Sequence, residues 1–275
     1  MYLRPATLRQ ACEALASGPH AVLAGGTDHY AGPARRDVPL LDLTAIAELR
    51  GIRADARCWR LGATTTWTEV IEAPLPPLFR ALKLAAREVG GVQIQNAGTV
   101  AGNLCNASPA ADGVPALLAL DASVELADAS SVRVLKVEDF VLGPRRTALR
   151  PGELVTAVLV PKPAHAARSH FAKLGARRYL VISIAMVAIV LETERGVIRA
   201  ARVAVGACSP VARRLAALES ALVGETLADD LGTIVRAEHL SGLQPIEDVR
   251  ASAEYRLDAA QTLVRRALDE LGAGA

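Results

Sequence analysis

Two short glycine-bearing segments, 24–28 and 99–112, constrain this chain more than any other part of it. The first reads Ala24-Gly25-Gly26-Thr27-Asp28, and the second reads Thr-Val-Ala-Gly-Asn-Leu-Cys-Asn-Ala-Ser-Pro-Ala-Ala-Asp. Each offers small side chains, backbone N–H groups and a hydroxyl, the combination that holds a diphosphate by main chain rather than by a cluster of arginines. A Gly-Gly pair after a strand is by itself an ordinary turn, because glycine supplies positive φ. The second segment shifts the balance. Thr99, Gly102, Asn103 and Ser108 concentrate hydroxyl, amide and backbone donors in one short stretch without helical or strand period, read here as a loop. The pair therefore predicts a fold that brings both segments to one nucleotide carrying a pyrophosphate.

The sequence shows no G-x-G-x-x-G opening a helix, so a Rossmann NAD site is disfavoured and a non-Rossmann FAD site fits better. Asp112 has two readings. It stands where it can cap the apolar helix that follows, and some capping is expected of it. It can also accept hydrogen bonds from ribose hydroxyls or ring N–H groups of a nucleotide.

Hydrophobic spacing gives alternating helices and strands along the first half. Leu8, Ala11, Cys12 and Leu15 follow a Thr7/Gln10 capping box, and Gly18-Pro19 ends that helix. Residues 20–24 read as a strand that ends in the double glycine. Residues 38–43 and 59–63 are further strands, Thr66/Glu69 is a second capping box, and 78–89 is a helix closed by Gly90-Gly91. Residues 92–96 lead into the second loop, and 114–120 is a helix. From 123 the pattern turns to strand at 124–126, 132–137 and 154–160. Pro161 and Pro163 suggest a boundary. Strands are predicted at 171–174, 181–191 and 202–206, then a helix over 211–222. A C-terminal helix carries Leu257, Ala260, Leu263, Val264, Ala267, Leu268 and Leu271 on one face.

At 275 residues the chain exceeds what one core comfortably fills, since single cores stop growing near roughly 250 to 300 residues. A formal net charge of +2 carries no nucleic-acid footprint. The most apolar run, 179–191, is too short to span a bilayer, which takes about 20 residues, and reads as buried strand. With no secretory h-region at the start, the chain is read as cytoplasmic. Cys12, Cys58, Cys105 and Cys208 show no C-x-x-C pair and no zinc spacing, so no metal site is expected and the four are read as small buried residues.

Residues 24–28, the run Gln95-Asn-Ala-Gly-Thr-Val-Ala-Gly-Asn103 with Asn106-Ala-Ser-Pro-Ala-Ala-Asp112, the run Lys173-Leu-Gly-Ala-Arg-Arg178, and Ala251-Ser-Ala-Glu-Tyr-Arg256 carry a family resemblance. Over essentially its whole length the chain resembles the FAD-binding (medium) subunits of molybdenum hydroxylases, the xanthine dehydrogenase and carbon monoxide dehydrogenase group. The resemblance implies an α+β fold. A PCMH-type, non-Rossmann FAD-binding domain of two subdomains would span 1–163, divided at about 57/58. A smaller C-terminal α+β domain of the CO dehydrogenase flavoprotein type would span 164–275. It also implies that Leu23, Ala24, Gly25, Gly26, Thr27 and Asp28, with Thr99, Val100, Ala101, Gly102 and Asn103, hold the diphosphate and ribityl region. Asp112 matches an acidic flavin ligand, Val155 a residue against the flavin, and Lys173 a basic flavin contact. Without the resemblance, Lys173 reads as a solvated strand lysine. Two departures stand out: Ala101 replaces a glycine common in the family's Thr-Ile-Gly-Gly, and Gln95 stands where a basic residue is common.

The function implied is electron transfer. FAD performs the redox chemistry, no catalytic side chain is needed, and the protein supplies position and electrostatics. The implied partners are a large molybdopterin-binding subunit and a small [2Fe-2S] iron-sulfur subunit, with NAD as a possible acceptor. A free-standing FAD-dependent oxidoreductase remains an alternative, for which His29 and Tyr30 are the nearest acid–base candidates. A non-redox structural subunit is a third reading, disfavoured by the intact small residues of both segments.

Overall fold

A computed structural model describes residues 1–31 and 38–273. Its elements run β1 (Tyr2–Leu3), α1 (Leu8–Ser17), β2 (Ala21–Leu23), β3 (Leu40–Asp42), β4 (Ile52–Ala54), β5 (Cys58–Gly62), α2 (Trp67–Glu72), α3 (Arg80–Glu88), α4 (Val92–Ala97), α5 (Val100–Asn106) and α6 (Gly113–Ala119). They continue with β6 (Ser123–Ala127), β7 (Val132–Lys136), α7 (Val137–Phe140), β8 (Val141–Gly143), β9 (Arg146–Thr147) and β10 (Leu154–Pro161). The last are β11 (Ala166–Leu174), β12 (Ala185–Glu194), β13 (Val197–Gly206), β14 (Arg213–Arg214), α8 (Ala216–Leu222) and α9 (Ala253–Ala273).

Both capping boxes form as the sequence predicts. Thr7 accepts from the Gln10 N–H at 3.3 Å, and Thr66 accepts from the Glu69 N–H at 3.2 Å, while each N3 side chain reaches back to its cap. The strands form a parallel three-stranded sheet β1-β3-β2, a five-stranded antiparallel sheet β4-β5-β10-β6-β7, and a four-stranded antiparallel sheet β11-β12-β13-β14. The register of β10 against β6 shifts between Val155 and Ala157. A shift of this kind bends a strand locally.

Two hydrophobic cores lie on either side of the β11–β14 sheet. Successive strand residues point to opposite faces. Met186, Ala188 and Val190 of β12 join the core that contains Trp67, Phe79, Leu82 and Leu104. Ala185, Val187, Ile189 and Leu191 join the core built with Leu218, Val264 and Leu268 from α8 and α9. The unbroken apolar run of β12 is thus a strand covered on both faces.

Three sequence expectations need correction here. Residues 181–184 are not strand: Leu180 takes a positive φ of 51°, and the ladder with β11 begins at Ala185. The apolar run from 179 is consequently not all buried, since Tyr179, Leu180 and Ile182 are exposed. Residues 211–215 are not helix, because Arg213–Arg214 pair with β13 before α8 begins. No helix among the described residues is long and apolar enough to cross a membrane.

At the start of α9, Arg256 is almost wholly buried. Its guanidinium donates to the Ile184 carbonyl at 2.6 Å, the Ala207 carbonyl at 3.1 Å and Asp248 at 2.7 Å. The Arg250 N–H, with the Arg256 guanidinium behind it, holds the Asp248 carboxyl down at about 2. A carboxyl lower in the folded than in the unfolded chain adds stability above its unfolded value, near about 4, and loses it as pH falls through its folded value. Asp248→Asn is therefore expected to lower the urea midpoint near neutrality by an amount that shrinks between pH about 4 and about 2. A gap that persists below pH 2 would show that Asp248 acts other than by its charge.

Candidate functional site

The first glycine segment leaves β2 and packs backbone to backbone against the junction of α4 and α5. A Cβ built on Gly25 would fall 1.8 Å from the Ala97 carbonyl oxygen and 3.0 Å from Gly98 Cα, so only glycine permits this approach. Gly26 has a φ of 70°, the second position here at which glycine answers a backbone need.

The second segment is not the loop its sequence suggests. Residues 92–97 form α4, and Thr99 is the N-cap of α5: its hydroxyl accepts the Gly102 N–H at 3.0 Å, and its carbonyl accepts the Asn103 N–H at 3.0 Å. The Val100 N–H goes to the Thr65 carbonyl at 3.0 Å, and Thr99 bridges to Thr66, so the N-caps of α2 and α5 lie side by side. Among the described residues, no acceptor meets the N–H groups of Gly25, Gly26, Thr27, Asp28 or Ala101. Backbone donors left open at a helix start and a glycine turn are what an anionic ligand requires.

Trp67 forms the floor. It is 1% exposed, and its ring lies under both Gly98 and Gly113, where added Cβ atoms would fall 3.5 Å and 2.4 Å from ring carbons. Gly113→Ala must push Trp67 or the Asn103 amide aside. It is expected to cost about 1–3 kcal/mol in urea denaturation, the range for overpacking a filled core. An unchanged midpoint would mean that the floor yields freely.

Two adjoining cavities open above this floor. The first, of ≈ 470 Å³, is lined by Leu23, Ala24, Gly25, Gly26, Thr27, Asp28 and His29 on one side, Thr99, Ala101, Gly102, Asn103 and Cys105 on another, and Leu154 and Val155 on a third. The second, of ≈ 440 Å³, includes Asp28, Asn103 and Asn106 from the first and adds Gly90, Gly91, Asp112, Leu180, Val181 and Ile182. At their shared wall Asn106 donates to Asp28 at 2.8 Å and accepts from Arg145. Asn103 Oδ1 is buried there without a hydrogen-bond partner among the described residues. A buried acceptor left open beside a row of open N–H groups fits a polar ligand offering both donors and acceptors.

Asp112 does not cap α6. Its backbone is already helical, at φ −59° and ψ −30°, and its side chain makes no cap bond. One carboxylate oxygen instead accepts from Lys173 Nζ at 2.9 Å and the other from the Ser183 hydroxyl at 2.6 Å. Burial raises the Asp112 carboxyl above its ordinary value, and the Lys173 ammonium and Ser183 hydroxyl offset part of that rise. Lys173 is buried behind Asp112 rather than solvated, which corrects the plain strand-lysine reading.

The fold thus brings most of the sequence-predicted residues to one cleft, with two exceptions of placement. Val100, the first residue of α5, is buried and offers its N–H to the Thr65 carbonyl. Lys173 lies behind the cleft wall, donating to Asp112 and, at 3.4 Å, to the Glu88 carbonyl. Cys105 is exposed on the cavity side of α5 rather than buried. Cys12 and Cys208 are buried. His29 and Tyr30 meet edge to face with ring centroids 5.1 Å apart, and Tyr30 is exposed. Ser183, Trp67 and Arg145 escaped the sequence reading. A lone serine within the apolar run 179–191 was the available signal for the first.

A family model described as the FAD binding domain in molybdopterin dehydrogenase matches residues 1–163, and one described as the CO dehydrogenase flavoprotein C-terminal domain matches residues 170–271. The chain is 33% identical over 284 residues to the putative xanthine dehydrogenase FAD-binding subunit of Escherichia coli (strain K12), covering 100% of this chain and 96% of the relative. It is 28% identical over 260 residues to the carbon monoxide dehydrogenase medium chain of Hydrogenophaga pseudoflava, covering 93% and 88%. Among solved structures, a chain of carbon monoxide dehydrogenase from Hydrogenophaga pseudoflava superposes with a TM-score of 0.88 at 27% identity, covering 99% of this chain and 96% of that one. A chain of quinoline 2-oxidoreductase from Pseudomonas putida 86 also gives 0.88, at 28% identity, covering 100% and 97%. With both family models matched in order along one α+β chain, this protein belongs to the FAD-binding medium subunits of the molybdenum hydroxylases.

Proposed function

We propose that this chain is the electron-transfer subunit of a multi-subunit molybdenum hydroxylase, taking electrons from an iron-sulfur partner and passing them through FAD to an external acceptor such as NAD. The observation that carries the reading is the convergence of open backbone N–H groups at Gly25–Asp28 and Ala101 on one cavity. These donors suit the diphosphate of FAD, so the backbone of Leu23, Ala24, Gly25, Gly26, Thr27 and Asp28 and of Thr99, Val100, Ala101, Gly102 and Asn103 would hold the diphosphate and ribityl region. Val155, which lines the first cavity, would lie against the flavin. Asp112, steadied by Lys173, would accept from it.

When bound, FAD supplies the exchange between one-electron and two-electron chemistry that such a relay needs. The chain's own part is to bind, orient and shield. In this proposal a large molybdopterin-binding subunit oxidises the organic substrate and a small [2Fe-2S] subunit carries the electrons here. Four free cysteines, one of them exposed, suit a reducing compartment, and the cytoplasm is the proposed location. The proposed division is an FAD-binding domain over 1–163 and a C-terminal domain over 164–275. Because β4 pairs with β5, the passage between the two subdomains fits better just before Ile52 than at about 57.

The test is the visible absorption spectrum of the tagged protein purified gently from its host, with companion chains identified by mass. Flavin bands overlaid by iron-sulfur absorption, with one larger and one smaller companion, are expected. Flavin without companions would favour a free-standing flavoenzyme, and a colourless protein would overturn the cofactor site.

A further inference from the structure

Among the described residues, the Asp112 side chain is held entirely from outside its own helix. It lies at the start of α6, while both of its side-chain donors come from the hairpin of β11 and β12. Lys173 sits near the end of β11, opposite Met186, and Ser183 lies two residues before β12 begins. The Ile184 N–H closes the hairpin on the Leu174 carbonyl at 2.8 Å. The connection from 175 to 182 therefore leaves and re-enters the sheet between the two donors. Its last residues, Leu180, Val181 and Ile182, line the second cavity beside Asp112.

We infer that Ser183 is a positioning residue of the cofactor site: its hydroxyl fixes the Asp112 carboxylate toward the cavity and pins the 180–182 segment to the same wall. The inference rests on the reading that this cleft takes FAD. With a different donor on each oxygen, at 2.9 Å and 2.6 Å, the carboxylate cannot rotate about its last bond without losing one of them. Each oxygen still has a lone pair free, so Asp112 can accept a third hydrogen bond from a ligand while keeping both anchors. Without Ser183, one oxygen of a buried carboxylate is left free to swing, and a ligand would have to order it on binding. Ser183 is 1% exposed and loses only a hydroxyl on change to alanine, so the substitution leaves the surrounding packing nearly intact.

The experiment is a double-mutant cycle on FAD affinity, measured by flavin fluorescence with the full chain freed of flavin, for wild type, Ser183→Ala, Asp112→Asn and the double variant. Ser183→Ala is expected to raise the FAD Kd about tenfold, the scale of one hydrogen bond to a charged group. In the Asp112→Asn background the same change is expected to have an effect under about twofold, because the charged acceptor whose aim Ser183 sets is then gone. An equal loss in both backgrounds would make Ser183 a packing residue and overturn the inference, as would wild-type affinity in Ser183→Ala. A wild-type chain that binds no FAD would overturn the cofactor reading itself, and this inference with it. Amide hydrogen exchange over 176–184 in flavin-free protein adds a measurement independent of FAD. Ser183→Ala should speed it about tenfold, and no change would refute the pinning of 180–182.

Discussion

Gly25→Ala is expected to fold about both cores and fail to retain FAD. The added Cβ would lie 1.8 Å from the Ala97 carbonyl oxygen and 2.5 Å from its carbon. Both are backbone atoms fixed by the end of α4, so no side chain can turn aside to make room. The 24–28 segment must retreat from the α4–α5 junction, and its open N–H groups leave the position they share with Ala101. Losing two hydrogen bonds to a charged diphosphate, each worth about 1.5–3 kcal/mol, lowers affinity by about a hundredfold or more. The displaced segment costs about 1–3 kcal/mol of stability besides. Flavin titration of the variant, with near-ultraviolet circular dichroism to confirm the fold, measures both. An FAD Kd within about threefold of wild type would mean that the contact between Gly25 and Ala97 does not set the cavity.

The second large effect concerns charge. The side chains of Lys173 and Asp112 are 6% and 10% exposed, and among the described residues neither has another partner of opposite charge in contact. Lys173→Met leaves a buried carboxylate with Ser183 as its one side-chain donor among the described residues. Breaking one partner of a buried pair typically costs about 3–5 kcal/mol. Lys173→Met combined with Asp112→Leu is expected to recover a large part of that loss, because the isolated charge, rather than the missing attraction, dominates the penalty. Urea unfolding of the flavin-free single and double variants decides the matter. A double variant less stable than Lys173→Met alone would show that the pair is held for its attraction.

Much of this architecture was legible in the residues. Thr7 with Gln10 and Thr66 with Glu69 announced two helices because a capping box is a local contract between residues three apart. The small residues at 24–28 and 99–103 marked the cleft because close backbone approach admits little else. Helices α4 and α5 were invisible for a different reason. At six and seven residues they are shorter than the span over which a 3.6-residue period can be counted, and Gly98 and Gly102 interrupt what pattern there is. They exist because the caps of α2 and α5 pair and Trp67 fills the space beneath them, contacts that only the folded chain supplies. Ser183 was hidden inside an apolar run that promised strand, and Asp112 was read by its place before a helix although its partners lie 61 and 71 residues further on.

The β12 strand serves two cores with alternate residues, Met186, Ala188 and Val190 to one side and Val187, Ile189 and Leu191 to the other. Deleting a single residue within it would exchange the two sets and hand each core the volumes meant for its neighbour. The strand's length is therefore fixed twice over, by two independent packing problems with a common wall. Insertions and deletions that distinguish members of this family should accordingly collect in the turn at Arg195-Gly196, which belongs to neither core, and leave 185–191 uninterrupted.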